Sequence, residues 1–298
     1  MAVPVFFDAR DIVGESLVYD DERDDLVWVD IAGKRIHRLN VATRAHDAWP
    51  APDFPTSIGL RKGGGAVVGL RDRVVLWDFG GPFRTLAIVE PDLVRNRLNE
   101  GRVAPDGTFW VGTMRDNLNP DGTQRDLDCS SGAVYRVAAD GAVTRLTPNE
   151  FGITNTMAWT KDGRFLVGDT LKNEIYAYHL KNGGLSDKRL HVAPFARGLP
   201  DGSCLDSDDG LWNCRVVGGR AVARFRPDGS FDRLAELPCS WPTSCTFGGA
   251  DMSTLYVASA RFTMSAEHLA ANPQEGALFA LDVGARGRKE NRFGEGAG

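Results

Sequence analysis

The sequence predicts an all-β fold, a six-bladed β-propeller. A short apolar segment recurs six times, a second alternating segment follows each copy, and Asp/Gly turns separate most of them. The leading segments are DDLVWVDI (24–31), GGAVVGL (64–70), DGTFWVGT (106–113), DGRFLVGD (162–169), DGLWNCR (209–215) and STLYVAS (253–259). Aligning Trp28, Val67, Trp110, Leu166, Trp212 and Tyr256 gives steps of 39, 43, 56, 46 and 44 residues. A unit of roughly 45 residues with several strands matches a propeller blade, whose sheet buries its faces only by stacking on neighbours.

The second segments are KRIHRLN (34–40), DRVVLWD (72–78), GAVYRVA (132–138), NEIYAYHL (173–180), RAVARFR (220–226) and GALFALD (276–282). Each alternates apolar and polar residues, which predicts an antiparallel hairpin with the segment before it. The 56-residue step leaves RDNLNPDGTQRDLDCSSG (115–132) as a long loop over one mouth of the channel. Residues near 3–8 and near 291–293 are expected to pair and close the ring, so that 1–298 forms one domain. Residues from about 286 to 298 then supply the closing strand and a Gly-rich tail, GEGAG, that frays. A lone Trp77-Asp78 pair does not make a WD40 repeat, since one copy in six units carries no signature.

Composition bounds the function. Of 298 residues, 42% are hydrophobic and 25% charged, which excludes disorder as the default and allows a large core. The net charge of -5, with no basic face, argues against nucleic acid. The acidic cluster at Asp20, Asp21, Glu22, Asp24 and Asp25 reads as a solvated turn. Five cysteines without a CxxC pair suggest buried free thiols rather than disulfides or a zinc ribbon. The start MAVPVFFDAR has no leader pattern and no apolar run reaches bilayer length, so a cytoplasmic protein without a membrane partner is expected, as a monomer or weak homo-oligomer.

Function in a propeller gathers at the mouths of the channel, so polar residues that break the repeat just before an inner strand carry the information. Four stretches do this: Glu15 in DIVGESLVYD, Arg97, Asn99 and Glu100 in RNRLNEGRV, Asn155 in GITNTMAWTKDG, and Asp201 in GLPDGSCLDSDDG. Each one alone reads as turn chemistry or a solvated charge. Their matched placement in four blades brings carboxylates and amides together at the axis, where they repel unless a divalent cation lies among them. Carboxylate and amide oxygens suit Ca²⁺, Mg²⁺ or Mn²⁺, and accept Zn²⁺ or Fe²⁺ at some affinity. No HExxH, GxSxG elbow, EF-hand or phosphate loop competes with this reading.

At these residues the chain resembles the senescence marker protein, gluconolactonase and luciferin-regenerating-enzyme-like family. The pattern R-x-N-[DE]-G-x-V-x-P-D-G-x-[FW]-W-x-G-T-M is met from Arg97 to Met114, I-[ST]-N-G-[LM]-A-W-[ST]-x-D-G from Ile153 to Gly163 except at Thr156, and P-D-G from Pro200 to Gly202. The resemblance implies a six-bladed propeller that hydrolyses sugar lactones around one central divalent metal. It implies Glu15, Asn155 and Asp201 as metal ligands, and Arg97 and Asn99 as substrate-binding residues. Glu100 is expected as a third substrate-binding residue, standing where the family usually has Asp, and Thr156 stands where it commonly has Gly.

The expected reaction is hydrolysis of an aldonolactone to its aldonic acid, in carbohydrate catabolism. The metal polarises the carbonyl, and Asp201 is the catalytic residue that takes a proton from water or orients it. Two alternatives stand beside it. One is a related propeller hydrolase of organophosphates, aryl esters or lipophilic lactones, which needs an apolar rim; Arg97, Asn99, Asn117 and Asn119 predict a polar one. The other is a non-catalytic calcium-binding propeller.

Overall fold

The computed structural model describes residues 3–181 and 183–294, so most of the expected frayed tail, 295–298, lies outside the described residues. Six four-stranded sheets form, one per repeat. The repeated apolar segments are the second strands of the blades, Asp25–Asp30, Ala66–Gly69, Phe109–Arg115, Arg164–Asp169, Leu211–Val216 and Thr254–Ser259. Their residues are buried almost throughout, because each sheet is sandwiched between two others and neither face of the strand meets water. The alternating segments are the third strands, antiparallel to the second as expected. Outer strands such as His46–Pro50 and Val143–Arg145 are largely exposed.

The first strands, Gly14–Asp20, Ser57–Leu60, Asn96–Val103, Thr154–Trp159, Leu199–Leu205 and Pro242–Gly248, contact one another in cyclic order and surround the axis. Five of the six break register: between Glu15 and Val18, Leu98 and Gly101, Asn155 and Met157, Pro200 and Ser203, and Pro242 and Ser244. A bulge inserts an extra residue, bends the strand and re-aims its side chains. Four of these bulges fall on the stretches that carry Glu15, Asn99, Asn155 and Asp201. The fifth carries Thr243.

Ring closure differs from expectation. Val5–Phe7 does close the ring, but it pairs with Leu278–Asp282 as the fourth strand of the last blade, not with 291–293. Strand Leu278–Asp282 needs a partner on its open edge, and the N-terminal strand supplies the hydrogen bonds. The segment after it runs across the far ends of the inner strands. Glu290 pairs with Arg102 at 2.8 Å, Asn291 Nδ2 donates to the Val103 carbonyl, and Phe293 forms a parallel bridge with Arg61. Lys289 reaches Asp21 at 2.7 Å and Arg292 reaches Asp20 at 2.7 Å, so the acidic turn is not simply solvated: it anchors this strap, and Asp20 is buried.

Four cysteines are buried free thiols as expected, whereas Cys129, in the long loop, is exposed. That loop lies over the opposite mouth, with Leu118 packed into the core of the first two blades. The connection between Thr254–Ser259 and Leu278–Asp282 holds a short helix, Ala266–Ala271, capped by Ser265, which the strand repeat did not signal. Among the described residues no helix is long and apolar enough to cross a membrane.

Candidate functional site

The near ends of the inner strands open into a cavity of about 390 Å³. Glu15, Arg97, Asn99, Asn155 and Asp201 all line it, so five residues from four separate stretches of sequence meet there. Glu100 does not. Its side chain is buried outside the cavity lining and accepts from the Gly101 amide at 3.1 Å, because the bulge between Leu98 and Gly101 turns it away from the opening.

The amides and the guanidinium of the floor hold one another in a chain. Asn155 Nδ2 donates to Thr170 Oγ1 at 2.8 Å, and that hydroxyl gives its own proton to the Pro200 carbonyl at 2.8 Å. The hydroxyl must therefore accept from the amide, which fixes the Asn155 amide with Oδ1 turned toward Asn99. Asn99 Nδ2 donates to Asn155 Oδ1 at 3.2 Å and to the Thr154 carbonyl at 2.8 Å, while its Oδ1 accepts from Arg97 at 2.7 Å. The Arg97 guanidinium also holds Asn117 Oδ1 at 2.8 Å, tying the long loop to the floor. Burial pushes Arg97 down to about 10, which leaves it charged at neutral pH.

Asp201 is treated differently. Its Oδ1 is buried with no hydrogen-bond partner among the described residues. Its backbone carbonyl accepts from Thr156 Oγ1 at 2.6 Å and from Asn213 Nδ2 at 3.0 Å, and Arg215 in turn clamps Asn213 at 2.8 Å. Thr156, with φ of 53°, and Ser16, with φ of 52°, adopt left-handed backbone inside the bulges. Thr156 Oγ1 bonds to Asp201 and Ser203 of the next blade, and the residue does not line the cavity. Gly202 is constrained too: a Cβ there would lie 2.7 Å from the Thr243 carbonyl of the next blade.

The electrostatics of the floor are unfavourable on their own. Burial first, and then the charges of Asp201 and Glu100, push Glu15 well above the usual carboxylate range. Burial and the charge of Glu100 raise Asp201 likewise. Glu100 itself is lifted to about 7, mainly by burial. Among the described residues no group of three or more His, Cys, Asp and Glu is arranged around a common metal position. The donor set here is smaller in acids: two carboxylates and the Asn155 amide oxygen. With an orphaned Asp201 oxygen, and with both carboxylates still raised although Arg97 acts on Glu15 and Arg215 on Asp201, it fits a hard divalent cation.

The expected polar rim holds in part: Arg97, Asn99 and Asn117 line the cavity, with Gln124, Arg125 and Asp126 of the long loop, but an apolar component stands beside them. Ile31, Leu118, Leu127, Leu171, Val217 and Phe262 form an apolar collar. Each sits in a connection from the second to the third strand of a blade, at 31–34, 116–133, 170–173, 217–220 or 260–277. Asn119 is not part of the lining and bonds within its own loop, to Thr123 and Gln124. Periodicity could not reveal the collar, because turn residues have no alternation to break.

Comparison with known proteins agrees with this architecture. Residues 13–261 match the family model described as SMP-30/Gluconolactonase/LRE-like region. The chain is 33% identical over 287 residues to a 6-deoxy-6-sulfogluconolactonase of Pseudomonas putida, covering 95% of each chain. It is 33% identical over 295 residues to an L-arabinolactonase of Azospirillum brasilense, covering 96% of this chain and 93% of that one. Among solved structures, a calcium-binding protein, regucalcin, from Agrobacterium tumefaciens superposes with a TM-score of 0.89 at 27% identity, covering 98% of this chain and 97% of that one.

Proposed function

The chain belongs to the SMP-30/gluconolactonase/LRE-like family, and from that premise we propose that its cavity hydrolyses a sugar lactone with the help of one divalent cation. The observation that carries this reading is the orphaned Asp201 oxygen beside a Glu15 carboxylate held, among the described residues, only by the neighbouring Ser16 amide at 3.4 Å. The relatives named as lactonases support the reaction class.

Glu15, Asn155 and Asp201 would hold the cation, each from a different blade. When bound it would supply Lewis-acid polarisation of the lactone carbonyl. Arg97 and Asn99 orient the lactone, using the one guanidinium hydrogen not committed to Leu98, Asn99 or Asn117 and a lone pair of the Asn99 amide oxygen. Water hydrogen-bonds to Asp201, its oxygen forms a bond to the carbonyl carbon, and its proton passes toward that carboxylate. The ring C–O bond then breaks, and the departing oxygen takes back from Asp201 the proton that the water gave it, becoming the hydroxyl of the open acid. Glu100 stays out of contact and acts through its charge on Glu15 and Asp201.

Proton release on a panel of aldonolactones tests this. Wild type should exceed the spontaneous rate, and Asp201→Ala should fall to that rate with an unchanged circular dichroism spectrum. Full activity in the variant removes Asp201 from the mechanism. Absence of turnover by wild type on every lactone turns the reading to a cation-binding propeller, the property named for the Agrobacterium structure. One observation favours a second enzymatic reading, a hydrolase of lipophilic lactones or aryl esters: the apolar collar.

A further inference from the structure

Floor and collar have opposite chemistry. The floor is built of Glu15, Arg97, Asn99, Asn155 and Asp201, while the wall includes the apolar collar, Ile31, Leu118, Leu127, Leu171, Val217 and Phe262, beside polar residues of the long loop, Asn117, Gln124, Arg125 and Asp126. A cavity of about 390 Å³ lies within the size range of sites for drug-sized ligands, so a bare monosaccharide lactone seated on the floor leaves much of the collar uncovered.

Two collar residues stand out. Leu171 is 50% exposed and Val217 is 52% exposed, in equivalent turns of adjacent blades, although both are large and apolar. Val217 also has φ of 57°, a conformation that a β-branched residue enters only under strain. A turn needing left-handed backbone takes Asn or Gly at no such cost. Strain combined with exposure, at the mouth of a cavity, points to a contact made with something the protein itself does not contain.

Resting on the lactonase reading, we infer that the preferred substrate is an aldonolactone whose exocyclic end carries an apolar substituent. The hydroxylated ring lies against Arg97 and Asn99 with its carbonyl toward Asp201. The substituent rises into the collar and covers Leu171 and Val217. This joins the two enzymatic readings in one ligand: polar where bonds change, apolar where it is held.

The test uses the intact protein with its cation and a series of 6-O-alkyl ethers of gluconolactone: the parent, then methyl, propyl and pentyl. The ether bond is inert, so only the ring opens, and proton release reports it. Each buried methylene should raise kcat/KM by roughly fourfold. Leu171→Asn and Val217→Asn should flatten that rise; both positions are exposed, and Asn suits the backbone at 217, so folding is not at risk. A flat series in wild type, with the parent lactone still hydrolysed, overturns the apolar substituent and leaves the lactonase reading intact. A rise that both variants retain overturns the assignment to this collar. Failure to hydrolyse any member of the series overturns the lactonase reading itself.

Discussion

Asp201 and His37 show how single residues divide between function and stability. Asp201 sits in a crowded acidic site with one oxygen unpartnered and with Glu15 and Glu100 raising its proton affinity. Such an arrangement weakens the cation-free fold, and Asp201→Asn removes a charge from it. The variant should be more stable without cation by about 1 kcal/mol, which is a rise of roughly 2 °C in Tm. A variant that melts below wild type contradicts the idea that this floor stores repulsion.

His37 carries no functional role here. Its ring stacks on Trp28 at 4.8 Å, its Nδ1 lies 3.1 Å from His46 Nε2, and burial holds it down at about 3. In the unfolded chain it titrates near 6.5. Below about 6.5 the unfolded state therefore binds a proton that the native state refuses, and the stability His37 contributes is lost as pH falls toward about 3. Glu100 acts in the opposite sense, since its native value of about 7 means stability is lost as pH rises through that value. The difference between proteins isolates the histidine: urea unfolding should move steadily in favour of His37→Gln over wild type from pH 7 down to pH 4. A difference independent of pH would show that His37 takes up its proton in the native state as readily as in the unfolded chain.

At the scale of the element, the inner-strand bulge is the device that turns a repeated strand into a site. Without it Glu15, Asn155 and Asp201 would follow the ordinary alternation of their strands. Hydroxyls at or beside the bulges lash neighbouring blades together: Thr243 donates to the Gly14 carbonyl, Ser16 accepts from the Ile58 amide, Thr154 donates to the Thr113 carbonyl and Thr156 to the Asp201 carbonyl. Thr156→Ala removes one such bond and should cost about 1 kcal/mol, with a fall in kcat as Asp201 loosens. Thr156→Ser keeps the hydroxyl and sheds the β-branched strain at φ 53°, and should restore both. Equal loss in the two variants would mean that the methyl group, not the hydroxyl, matters.

The bulges themselves were hidden in the sequence, because an inserted residue looks like any other in a polar stretch. What the sequence did carry was their content: Glu15, Asn155 and Asp201 are polar where an inner strand begins, and turn chemistry alone does not explain four such coincidences. The collar was illegible for a related reason. Leu171 and Val217 are isolated apolar residues in turns, and isolated apolar residues on a surface are ordinary.

Over the whole molecule, six repeats were readable from aromatic and aliphatic residues at matched spacing, since stacked blades demand the same buried strand six times. Closure was readable only in part. The role of Val5–Phe7 follows from its apolar pattern, but its partner, Leu278–Asp282, had already been assigned to a hairpin that supplies just one of its edges. The strap at 287–293 depends on charges finding one another across the ring, as Arg292 finds Asp20, and no local pattern announces a contact between the two ends of a chain.

A propeller of this kind leaves one mouth strapped and the other open above an acidic floor, which concentrates the question of function on that floor. The most direct measurement is proton release from an aldonolactone by chelator-stripped protein, before and after adding Ca²⁺, Mg²⁺, Mn²⁺, Zn²⁺ or Fe²⁺. Turnover should fall to the spontaneous rate on stripping and return with at least one ion. Full turnover in the stripped protein, or none with any ion, would contradict a cation-assisted lactonase at Glu15, Asn155 and Asp201.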